Sequence, residues 1–67
     1  MIAVNATYAD IQQLQQLGVR CEAHTRDAAR CLAEHKLGPS KVHADLARSY
    51  SKQAFALARR VLARESE

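Results

Sequence analysis

Only one place in this chain gathers the residues that end helices: LGPSK, residues 37 to 41. Gly38 suits the left-handed position after a helix, and Pro39 cannot continue one. Ser40 is then a natural N-cap for a second helix. The whole sequence holds two Gly and one Pro, and good helix formers dominate the rest. A second start signal lies upstream. Thr7 and Asp10 have the spacing of a capping box, with Asp in place of the usual Glu, ahead of an apolar-periodic run. The expected fold is all-α: an antiparallel two-helix hairpin forming a single domain over residues 1–67, with a first helix at about 8–37, a turn at 38–40 and a second helix at about 41–65. Such rods measure roughly 45 and 37 Å. Residues 1–6 carry no structural signal; a tail and a short arm pairing with a second copy are both open.

The first helix has a heptad pattern. Ile11, Gly18, Thr25 and Leu32 fall on one repeat position; Leu14, Cys21, Ala28 and His35 fall on the other. Leu17, His24 and Cys31 widen this seam. The phase runs through Gly18, which is expected to permit close approach of another helix at a cost of about 1 kcal/mol relative to Ala. Glu22, Arg26, Arg30 and Glu34 occupy the solvated side.

The second helix has more apolar surface than one neighbour can cover. Leu46, Tyr50, Leu57 and Val61 line one edge, Ala47, Ala54 and Ala58 the middle, and Ala44, Phe55 and Leu62 the far edge. At about 100° per residue these sweep nearly half the circumference. A core of this size rarely supplies more than about 3–5 kcal/mol. Both points predict a homodimer, two hairpins forming a four-helix bundle. The dimer and core residues are then Ile11, Leu14, Leu17, Cys21, Leu32, Leu46, Tyr50, Leu57 and Val61.

Both cysteines and two of the three histidines fall within CEAHTRDAARCLAEH, residues 21 to 35. This combination suggests zinc, but Cys21 and Cys31 lie about 15 Å apart along one helix. Zinc ligands sit about 2.0–2.3 Å from the ion, so the four side chains cannot share one. That distance also excludes an internal disulfide. These residues are expected as core rather than ligands, and no cofactor is expected. Cys31, His35 and His43, near the turn, form the one intrachain set that could hold a metal.

A basic stripe runs along the second helix. Lys41, Arg48, Lys52 and Arg59 are spaced 7, 4 and 7 residues apart and project within roughly 40° of one another. Phe55 and Leu62 lie beside it. A basic stripe alone suits phosphates; with Phe and Leu alongside it suits an acidic, partly apolar protein surface. Arg48, Lys52, Phe55, Arg59 and Leu62 are the expected partner-binding residues. Net charge is +3, which permits nucleic acid without requiring it. A small hairpin offers no deep pocket and no Gly-rich loop, so no enzyme activity is expected. The opening MIAVNATYAD lacks the pattern of a secretory leader. The longest clean apolar run, AFALA at 54–58, is far short of the roughly 20 residues of a membrane span. A cytoplasmic protein with reduced cysteines is expected.

In layout the chain resembles the small helical-hairpin regulators of temperate bacteriophages, of the quorum-sensing anti-activator type. It also resembles plasmid-encoded Rop-type hairpins, which bind paired RNA loops. The Ala- and Arg-rich composition and the wide apolar face favour the first. That resemblance implies a dimer in the host cytoplasm that binds a LuxR-type transcription activator and blocks its DNA binding. The second implies an RNA- or DNA-binding regulator. A metal-binding helical bundle is the remaining alternative. No site residues are transferred from either family.

Overall fold

The computed structural model describes residues 7–65 and is an antiparallel pair of helices, α1 (Tyr8–Ala33) and α2 (Leu37–Glu65). It forms a rod of 53 × 15 × 14 Å. No helix among the described residues is long and apolar enough to cross a membrane. The expectations for residues 1–6 lie outside the described residues.

The start of α1 follows the sequence signal. The Asp10 amide donates to Thr7 Oγ1 at 3.1 Å, and the Thr7 amide donates to the Asp10 carboxylate at 3.2 Å. This is the reciprocal capping box.

The turn lies four residues earlier than the sequence reading puts it, at 34–36 rather than 38–40. Its bonds explain why. The His35 amide donates to the Leu32 carbonyl at 3.0 Å, and the Lys36 amide to the Cys31 carbonyl at 2.8 Å. These paired bonds make a Schellman motif, whose turning residue must be left-handed. His35 fills that place with φ 60, and no glycine in the chain has positive φ. Gly38 is therefore not the C-cap. His35 is not on the inner seam of α1; it is exposed in the turn.

Gly38 and Pro39 instead sit in the first turn of α2. The first four amides of a helix have no intrahelical acceptor, so proline costs nothing there. Pro Cδ normally pushes the preceding residue out of the helical region by meeting its Cβ. Gly38 has no Cβ to meet. Ser40 is not the N-cap but the fourth residue of α2, and its hydroxyl donates to the Ala28 carbonyl of α1 at 2.8 Å. That bond ties the two helices just beyond the turn.

The core is small. Leu17, Cys31, Ala47 and Leu57 are the buried apolar residues. Each of the two leucines contributes about 1.5–3 kcal/mol by leaving water. Cys21, Tyr50, Ala54, Ala58 and Val61 are half-buried. Ile11, Leu14, Leu32 and Leu46, expected in a core or dimer, are 45%, 40%, 57% and 37% exposed in the single chain. The other helix covers them only in part.

The open end is held by charge. Arg64, near the end of α2, donates to the Asp10 carboxylate at the start of α1. Asp10 thus serves the cap and the clamp together. Its carboxyl is held below the ordinary 3.8, first by the Arg64 hydrogen bond and then by the Thr7 amide.

Candidate association face and histidine cluster

One long side of the hairpin is an apolar groove between the helices. Its first stretch is lined by Leu14, Gly18, Cys21, Ala54, Phe55 and Ala58. Its second is lined by Ile11, Leu14, Leu57, Ala58, Val61 and Leu62. Leu14 and Ala58 belong to both, so the groove is continuous. Charge enters its lining only through Asp10 and Glu22.

The floor is shallow because small residues face each other there. A Cβ added at Gly18 would meet nothing within 4 Å. Within the chain, then, α2 does not make the close approach expected at Gly18. Thr25, one turn along α1 from Cys21, satisfies its hydroxyl by donating to the Cys21 carbonyl at 2.8 Å. It adds no unsatisfied donor beside the groove.

The basic stripe borders this groove. Arg48, Lys52 and Arg59 are exposed. Lys52 and Arg59 line a hollow with Phe55 and Ala56. Phe55 is 67% exposed and Leu62 61%. Phe55 therefore sits on the margin, touching the apolar groove on one flank and the cations on the other. Leu62 lies in the groove. At Lys41, the first cation of the stripe, the charge pairs with Asp45 at 3.0 Å. On α1 the solvated side stands as expected: Arg26 meets Glu22 at 3.2 Å, while Arg30 turns to Asp27 at 2.9 Å.

The half of the interhelical seam nearer the turn has different chemistry. His24 of α1 and His43 of α2 place their Nδ1 atoms 2.9 Å apart. Their rings lie 5.2 Å apart, centroid to centroid, with planes 28° from parallel. Tyr50 also stacks on His24, at 5.6 Å and 9°. The Arg20 guanidinium lies 5.9 Å over the Tyr50 ring, within cation–π range. A ladder of cation, phenol and two imidazoles thus runs across the seam.

The metal set named from sequence does not come together. Cys31 is buried as a free thiol, His35 is out in the turn, and His43 faces His24. Among the described residues one group of three potential ligands forms instead, His24, Asp27 and His43, with ligand atoms all within 4.8 Å of one another. All three are half-buried. Sequence reasoning misses Asp27. Its i,i+3 spacing from His24 is readable; its meeting with His43 is not, because that depends on where the turn falls.

The resemblances to phage regulators and Rop-type hairpins extend only to the two-helix layout, since no protein-family model, curated protein or solved structure matches this chain.

Proposed function

We propose that this chain is a non-enzymatic regulatory protein that acts by association. Two copies join across the apolar groove into a four-helix bundle. The basic side of α2 then binds and inhibits another protein. The observation that carries this reading is the groove itself. It leaves Ile11, Leu14, Phe55 and Leu62 in water, in a chain with only four buried apolar residues among those described. Contiguous apolar surface of this kind marks an association site. A second copy is the favoured occupant because it covers the groove with its own equivalent, self-complementary across a two-fold axis. The small residues Gly18, Ala54 and Ala58 allow the helices of the two copies to pack closely.

The target is an acidic, partly apolar protein surface, met by Arg48, Lys52 and Arg59 with the outer edge of Phe55. The layout shared with phage anti-activators points to a bacterial transcription regulator of the LuxR type, held off DNA by occlusion. RNA or DNA binding by the same cations is the runner-up.

Sedimentation tests the assembly. We expect dimers at low micromolar concentration, and Phe55→Ala should weaken association by about 1–2 kcal/mol if Phe55 is an anchor. A well-folded wild-type monomer at that concentration would sink the bundle. Arg59→Glu should weaken target binding while leaving the dimer intact. Target affinity that falls by orders of magnitude over a few-fold rise in salt would favour nucleic acid instead.

A further inference from the structure

The geometry points to an intrachain site for a divalent transition-metal ion of the zinc type, held by His24 and Asp27 of α1 and His43 of α2. Three observations carry it. The two Nδ1 atoms face each other at 2.9 Å across the seam. Asp27 offers a carboxylate oxygen within 4.8 Å of a ring nitrogen of each histidine. The side chains around them fix the ligands' orientation.

The distances suit the ion. Zinc bonds nitrogen at about 2.0–2.1 Å, so two nitrogens sharing a tetrahedral zinc stand about 3.3 Å apart. From 2.9 Å the pair must open by only a few tenths of an ångström. Small rotations of the two rings provide that. Without a metal, one Nδ1 must donate to the other, so the contact uses a single lone pair. A metal accepts from both.

The surroundings supply what a metal site needs beyond its ligands. Arg30 donates to Asp27 Oδ1 at 2.9 Å and so helps to orient the carboxylate. Tyr50 lies nearly parallel to the His24 ring and fixes its plane. Such supporting contacts alone are worth about tenfold or more in affinity at known sites. Imidazole with carboxylate is a donor set for zinc, cobalt, nickel or copper rather than for calcium or magnesium. Three protein ligands leave a fourth position open to water. The half-burial of all three leaves a path for the ion.

The site joins the two helices, so an ion bound there stabilises the hairpin by mass action. This does not depend on dimerisation, because all three ligands come from one chain.

The test is titration of the full chain, stripped with chelator, with Zn²⁺ by calorimetry and with Co²⁺ by visible absorption. Expected are one ion per chain, the spectrum of a low-coordinate Co²⁺ with nitrogen ligands, and a raised Tm. His24→Ala and His43→Ala should each weaken binding at least about tenfold. Asp27→Asn should weaken it too, and His35→Ala should leave it unchanged. His43→Gln keeps a polar partner for His24 but is a poor ligand; it should fold and still lose the ion, which separates ligation from structural damage. Absence of stoichiometric binding would overturn the proposal. So would one ion per two chains, or binding that survives the His24→Ala/His43→Ala double change.

Discussion

The interhelical seam has two halves of opposite character. Towards the open end it is aliphatic: Leu14, Leu17, Leu57, Ala58 and Val61. Towards the turn it is polar and aromatic: Tyr50, His24 and His43, with Ser40 bonded to the Ala28 carbonyl. Apolar contact is non-directional and scales with area. The aliphatic half therefore supplies burial but does little to fix how the helices slide past each other. Hydrogen bonds and stacked rings are directional, so the turn half sets register. It also buries Cys31 and Ala47, the two smaller members of the apolar core. At the open end the one directional contact between the helices described above is the ion pair of Arg64 with Asp10.

That division can be broken experimentally. The largest effect should come from Leu57→Ala, at a residue only 3% exposed, costing about 2–4 kcal/mol in urea unfolding followed by circular dichroism. Metal-free His24→Ala, at the other half, should cost about 0.5–1.5 kcal/mol, the net worth of one hydrogen bond. Equal losses would erase the distinction between the two halves.

Gly18→Ala separates the chain from its assembly. In dilute monomer it should raise stability by up to about 1 kcal/mol, because the new methyl meets nothing within 4 Å and Ala favours helix. In associating protein it should weaken the dimer if the groove is the contact. A stabilised dimer would move the contact elsewhere.

His35→Gly sharpens the account of the turn. It replaces the left-handed histidine with the residue that suits φ 60, and should raise Tm through a gain of about 0.5–1 kcal/mol. No gain would mean that the turn is held by more than its backbone bonds.

The smallest effect concerns the clamp at the open end. Asp10 has a lowered folded value. Its charged form therefore stabilises the fold above the unfolded carboxylate range. That contribution is lost as pH falls below the ordinary carboxylate range and through the lowered folded value. Asp10→Asn should flatten this part of a Tm-against-pH profile, with little change in its slope above about pH 6. A profile identical to wild type would remove Asp10 from the balance.

Legibility in the sequence differs by residue. Thr7 and Asp10 are readable because a capping box is made within four consecutive residues. The excess apolar surface of α2 is readable from periodicity, and Ala44, Phe55 and Leu62 are exposed in the single chain. The turn is misplaced from sequence because Gly-Pro marks a helix end and a helix start equally well. The choice between them rests on hydrogen bonds from His35 and Lys36 that composition does not reveal. The error then carries over to the metal ligands, since the residues opposite one another across a hairpin depend on where it folds back.

The sequence by itself determined the two helices, the cap that begins the first, and the uneven greasiness of the second. These come from propensity and spacing, which act within a few residues. Only the tertiary structure decided that His35 turns the chain, that His24 meets His43, that Asp10 meets Arg64, and which side of the hairpin is left as an open groove. Each of these rests on how the two rods lie against each other. That register is fixed by a short turn and a handful of directional contacts between residues distant in the chain.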